Sequence, residues 1–180
     1  MRAFVSLDLP EPVRAPLGRM IGGLKAGRPV PLENLHITLC FLGDQPEEAL
    51  EELHNALEPL RLTAPELRFG GIDWFGPGKA RTLAALVEPV PELVRLQQEV
   101  ARQARKQGMP PERRPFRPHV TLVRFRRHIT PGEEAALRTF LASPPVVDVP
   151  NCRATGFSLQ ASTLTPGGAR YETLAAYPLV

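Results

Sequence analysis

The chain has few of the residues that would announce a metal centre or a disulfide scaffold. Its 180 residues include two cysteines, Cys40 and Cys152, with no C-x-x-C spacing between them. Neither a disulfide framework nor a zinc site is therefore suggested. No Asp/Glu/His cluster has ligand spacing, which weighs against a metalloenzyme, and no cofactor is implied. No apolar run approaches the roughly 20 residues that a membrane-spanning helix needs. The opening "MRAFVSLDLPEP" meets Asp8 and Pro10 too soon to be a secretory leader. The expectation is a cytoplasmic protein with no membrane contact. Lysine is nearly absent, with only Lys25, Lys79 and Lys106 among 22 basic residues. Scarce Asn, Cys and Met beside 21 prolines fit a thermophile, and a GC-rich genome gives the same bias.

A hydrophobic fraction of 43% and a charged fraction of 23% are those of a globular chain able to build a core. No linker divides it, so residues 1–180 are expected to form one compact bilobal domain, and a monomer. The net charge of +3 conceals an asymmetry. Nine basic residues and the single acid Glu112 lie between Arg102 and His128, whereas the remainder carries 13 bases and 18 acids. Such a block suggests a polyanionic ligand; a solvated helix end and loop would look similar.

"RAFVSLDLP" alternates as a strand does. Apolar residues from Glu11 to about Lys25 recur at helical spacing. A second strand runs from about Leu35 to Leu42. "DQPEEALEELHNALEPL" then predicts a helix capped by Asp44, with Leu50, Leu53, Leu57 and Leu60 as its core stripe. "PELRFGGIDWFG" and "ARTLAALVEP" read as a hairpin turning at "GPGK". "PELVRLQQEVARQARKQG" is a helix ending at Gly108, and "FRPHVTLVRFRR" is a strand. Thr130, Pro131 and Glu133 spell an N-cap and capping box for another helix. The tail is strand-rich, with a turn at "TPGGAR". Helix, strand, helix occurs twice, so the fold class expected is α+β with two similar halves.

The two matching strands carry the chemistry. "NLHITLCFLG" and "RPHVTLVRFR" both contain His-x-Thr-Leu, 83 residues apart in a chain with four histidines. Strand alternation places His36, Thr38 and Cys40 on one face, and His119, Thr121 and Val123 on one face of the second copy. Two histidines flanking a phosphate can act as base and acid on opposite sides of phosphorus. Threonine hydroxyls can donate to its non-bridging oxygens, and an arginine can hold its charge bidentately. Arg124 is the candidate arginine. On a regular strand, however, a five-residue offset turns Arg124 away from His119, and Phe41 away from His36. Both reach the site only if their strands twist, bulge or end. His128-Ile129-Thr130 repeats the spacing as a decoy, since Thr130 is better explained as a helix cap. His54 lies on the polar side of its helix and is expected to be solvated.

These residues resemble the 2H phosphoesterase superfamily, which is marked by two H-x-T/S-φ motifs at this separation. "FVSLDLP", "ENLHITLCFLG", "FRPHVTLVR" and "LTPGGARYETLAAYPL" are together similar to its RNA 2′,3′-cyclic phosphodiesterase branch, the LigT-type 2′-5′ RNA ligases. The resemblance spans nearly the whole chain. It implies a bilobal α+β fold in which two antiparallel sheets line a positively charged cleft. It also implies metal-free hydrolysis of an RNA-terminal 2′,3′-cyclic phosphate to a 2′-phosphate, with ends such as tRNA halves as partners and no obligate protein partner. Under it His36 is the base, His119 the acid, Thr38, Thr121 and Arg124 bind the phosphate, and Phe41 lies near the nucleobase. One departure is "GRPVPLENLH", which lacks the aromatic residue often found before the first motif.

Three other readings stay open. Ligation to a 2′-5′ bond is the reverse transesterification in the same site, although no P-loop or nucleotidyl-transfer lysine motif is present to drive it. A small cyclic nucleotide could replace RNA as substrate. An RNA-end binding module would need cations and stacking but not two titrating groups.

Overall fold

The computed structural model describes residues 1–75, 81–111 and 114–180. In chain order the elements are β1 (Arg2–Asp8), α1 (Glu11–Arg19), β2 (Arg28–Pro29), a 3₁₀ turn (Leu32–Asn34), β3 (His36–Asp44) and α2 (Glu47–Leu57). β4 (Glu66–Leu67), β5 (Phe69–Phe75), β6 (Arg81–Val87), α3 (Pro91–Lys106) and β7 (His119–Phe125) follow. The chain ends with α4 (Pro131–Ala142), β8 (Cys152–Arg153), β9 (Gly156–Thr165) and β10 (Gly168–Pro178). The "GPGK" turn lies outside the described residues.

The fold is α+β, and every described strand pair is antiparallel. One half of the main sheet runs β10-β9-β1-β3 and the other β7-β6-β5, with β2 also on β7. The two sheets expected from the resemblance are thus joined edge to edge, but through one described ladder pair, Ile37 opposite Val120. Because β9 and β10 come from the C-terminal end yet complete the N-terminal half, the halves interleave.

β1 shows why its alternation mattered. Ala3, Val5 and Leu7 enter the main core, while Phe4, Ser6 and Asp8 point to the other face and line a pocket. The core face is closed by helices whose apolar stripes supply Leu50, Leu53 and Leu57 from α2 and Leu93, Leu96 and Val100 from α3. α3 packs on β3 and against α2. None of the helices is long and apolar enough to cross a membrane among the described residues.

Three details differ from the sequence expectations. α1 stops at Arg19 rather than near Lys25: tighter turns follow, with Met20 N donating to Leu17 O and Gly22 N to Arg19 O, before Gly23 adopts φ +85°. Asp44 does not cap α2. It belongs to the β1–β3 ladder opposite Arg2, and Pro46 begins the helix with no side-chain cap, leaving Glu47 and Glu48 to complement its N-terminus. His54 is half-buried rather than solvated, with Nδ1 3.1 Å from the Tyr177 hydroxyl. The capping box of α4 is present: Thr130 Oγ1 accepts from the Glu133 amide at 3.1 Å, and the Glu133 carboxylate accepts from the Thr130 amide at 2.9 Å.

Candidate active site

The Ile37–Val120 pair is buried on the core side. Residues on either side of it in an antiparallel pair point the other way. His36, Thr38, His119 and Thr121 therefore share the open face where the sheet halves meet, and each is half-buried. A pseudo-twofold axis passing between Ile37 and Val120 exchanges His36 with His119 and Thr38 with Thr121.

The symmetry extends to the ring nitrogens. His36 Nδ1 lies 2.7 Å from the Asn34 carbonyl, and His119 Nδ1 lies 2.7 Å from the Arg117 carbonyl. A carbonyl can only accept, so each Nδ1 carries the proton and each neutral ring leaves Nε2 as a lone-pair base. His36 Nε2 is 3.1 Å from Thr38 Oγ1, which donates to it. Among the described residues Thr121 Oγ1 has no hydrogen-bond partner, and this breaks the symmetry.

Two β-bulges remove the objection to Arg124 and Phe41. Along β1–β3, Val5 faces Cys40 and Ser6 faces Thr38, so Leu39 is the extra residue. Along β6–β7, Leu83 faces Val123 and Ala84 faces Thr121, so Leu122 is the extra residue. In each strand the leucine of His-x-Thr-Leu shifts the alternation by one. Cys40 and Val123, expected beside the histidines, are instead buried on the core side, at 3% and 1% exposure. Phe41 and Arg124 turn to the histidine face, and Phe41 is 60% exposed. Burial pushes the Cys40 thiol up to about 11.

The surroundings of the two histidines differ. The His36 ring meets Phe4 at 5.0 Å between centroids and Tyr171 edge-on at 5.3 Å. These rings edge a pocket of about 440 Å³ that also contains Asp8, Arg14, Ser158 and Gln160. Ser158 Oγ donates to Asp8 Oδ2 at 2.7 Å, and burial pushes the Asp8 carboxyl upward despite that bond and Arg14. His119 stacks on Phe75 at 4.2 Å and 22°. The Arg117 guanidinium sits over the same ring, 4.6 Å from its centroid, and pairs with Asp73 at 3.2 Å.

Burial, with smaller contributions from Arg124, His119 and Arg14, pushes His36 down to about 4, against the bond to Asn34. His119 is also lowered, by burial first and then by Arg117 and Arg124. Both rings are therefore neutral at neutral pH.

The basic block does not act as one surface. Arg102 is paired with Glu99 on α3, whereas Arg117 and Arg124 flank the histidines. Phe4, Tyr171 and Phe75 escaped the sequence reading because they reach the site through strand pairing with distant segments. Asn34 and Arg117 escaped because their backbone carbonyls act, and any residue supplies one. No described group of three His, Cys, Asp or Glu side chains has a metal-holding arrangement.

Known proteins are similar to this chain in sequence and in fold. The 2′-5′ RNA ligase superfamily profile matches residues 9–155. A Thermus thermophilus protein named RNA 2′,3′-cyclic phosphodiesterase is 33% identical over 99% of this chain and 90% of its own. An Archaeoglobus fulgidus protein of the same name is 29% identical over 98% and 99% of the two chains. The crystal structure of Escherichia coli LigT complexed with 3′-AMP superposes with a TM-score of 0.79 at 28% identity, covering 99% of this chain and 97% of that one. The chain belongs to the 2′-5′ RNA ligase superfamily, among the LigT-type 2H phosphoesterases.

Proposed function

We propose that this chain is an enzyme that hydrolyses an RNA-terminal 2′,3′-cyclic phosphate to a 2′-phosphate by paired histidine acid–base catalysis without metal. The observation that carries the reading is the symmetric pair of imidazoles, each with Nδ1 committed to a backbone carbonyl and Nε2 turned to one shared face. The relatives named RNA 2′,3′-cyclic phosphodiesterase support it.

His36 Nε2 takes a proton from water as the oxygen bonds to phosphorus. The bond from phosphorus to the 3′-oxygen breaks, and His119 delivers a proton from Nε2 to that oxygen. Proton transfer between the rings through solvent restores the starting state. The lowered His36 fits the base, which has to start neutral. His119 has to start protonated, and a bound phosphate anion favours its imidazolium by direct attraction. Arg124 on the same face offers a planar fork to the phosphate oxygens, Thr121 offers its hydroxyl, Thr38 turns its own to the phosphate as water replaces it on His36 Nε2, and exposed Phe41 offers a stacking face. Residues 1–180 act as one bilobal unit, since each half supplies one histidine.

A second reading is the reverse 2′-5′ ligation. The pocket beside His36 favours it, because about 440 Å³ edged by Phe4 and Tyr171 is more room than a water nucleophile needs.

The test is incubation of a 2′,3′-cyclic-phosphate-ended oligonucleotide in EDTA, with product position read by phosphorus NMR. A 2′-phosphate product, lost in His36→Ala and His119→Ala, is expected. Tight binding with no turnover would instead make the chain an RNA-end binding module.

A further inference from the structure

On its β3 side, β7 pairs first with β3 through Val120 and then with β2 through Val123 and Arg124. Arg28 of β2 is directly opposite Arg124, so the two side chains leave the same face of the ladder. Like charges in that position repel. Both residues are exposed, and among the described residues neither has a carboxylate partner. The chain nevertheless builds this juxtaposition with care. Gly27 at φ +71° lets the backbone approach β7, and a Cβ there would stand 2.6 Å from Val123 Cγ1. Val30 N donates to Leu122 O at 2.8 Å on the other side of β2. The β9–β10 turn then meets Arg28, whose Nη1 donates to Pro166 O at 3.3 Å. That bond uses one of five guanidinium N–H groups.

An arginine pair with no described carboxylate in ion-pair contact, at the meeting of the two sheet halves, calls for an anionic ligand. A cyclic phosphate diester carries one negative charge, which Arg124 and the His119 imidazolium of the proposed complex already more than balance. A second arginine needs a second charge. We propose that Arg28 holds the internucleotide phosphate next to the terminal nucleotide while Arg124 holds the cyclic phosphate. The site then selects an RNA chain over a free cyclic mononucleotide. This inference rests on the phosphodiesterase reading above.

The experiment compares wild type, Arg28→Gln and Arg28→Lys on 2′,3′-cyclic AMP and on a short oligoadenylate with a 2′,3′-cyclic phosphate end. In Arg28→Gln, kcat/KM for the oligonucleotide should fall about tenfold or more through KM, and far less for the mononucleotide. Arg28→Lys should recover part of the loss on the oligonucleotide alone, whereas loss of a purely structural bond to Pro166 would affect both substrates alike. Binding of the 2′-phosphate-ended product oligonucleotide, measured against salt, should lose about 0.7 from its logarithmic slope in Arg28→Gln, as expected for one phosphate contact to a single strand. Equal losses on both substrates, or an unchanged salt slope, would overturn the proposal while leaving the hydrolytic reading intact. Failure of wild type to cleave either substrate would instead remove the reading on which it rests.

Discussion

Ile37 faces Val120 across the ladder pair that joins the two halves of the sheet, and both side chains are fully buried. That apolar contact fixes the relation between the histidines on the opposite face. Structure and chemistry are therefore separable within each motif.

His36→Ala and His119→Ala should each lower turnover by roughly 10²–10⁴-fold, with thermal stability close to wild type at neutral pH. Ile37→Ala should do the reverse in order of cause. It is expected to lose about 2–5 kcal/mol of folding stability, and activity only as the fold fails. Urea titration beside steady-state kinetics distinguishes the cases. An unfolded His119→Ala protein would mean that the ring is part of the scaffold.

Arg124→Lys keeps the charge on the histidine face but replaces a planar fork with a single ammonium. A loss of about tenfold or more in kcat/KM is expected, since a charge-assisted bidentate contact is strong and directional. Wild-type kinetics in this variant would remove Arg124 from phosphate binding.

The bulges explain how much of this site was legible in the sequence. His36, Thr38, His119 and Thr121 could be placed on two strands because alternation and the repeated motif mark them. Phe41 and Arg124 could not be placed on the same face, because a regular strand forbids it. The signal was present in another form. Buried residues fall at 37, 39, 40 and 42, and at 120, 122, 123 and 125, so both strands slip their hydrophobic phase immediately after the leucine. Helix stripes and the Thr130 cap were readable because they are local. Asp44 misled because it also suits a cap, and only its pairing with Arg2 decides otherwise. Phe4, Tyr171 and Arg28 could not be read at all, since topology rather than local pattern carries them to the cleft.

The pH dependence of activity should be a bell displaced to the acid side. In the free enzyme the proposed base, His36, loses its proton around pH 4, which sets the acid limb of kcat/KM. The proposed acid, His119, is lowered from the ordinary histidine range of about 6.5, so the basic limb of kcat/KM should fall below that value. Bound phosphate favours the imidazolium, and the basic limb of kcat should therefore lie higher than that of kcat/KM. Initial rates from pH 3 to 9 at low and saturating substrate check this. Coincident basic limbs, or a profile flat on one side, would count against the paired-histidine mechanism.

Folding stability should carry the same signature. Unfolded, His36 takes a proton near pH 6.5, whereas folded it does so only near 4. Between these values the unfolded chain holds a proton that the folded one excludes, so stability rises with pH across this window and falls on acidification. His119 acts in the same direction. Asp8 acts oppositely, because burial raises its carboxyl and favours the protonated form in the fold. Comparing wild type with His36→Ala cancels both. Between pH 7 and pH 5 the wild type should lose about 1–2 kcal/mol more than the variant in urea unfolding, given roughly 1.4 kcal/mol per proton for each pH unit. An equal loss would mean that His36 titrates as an ordinary solvent-facing histidine, and the neutral base at the centre of the proposed mechanism would have to be explained by something other than burial.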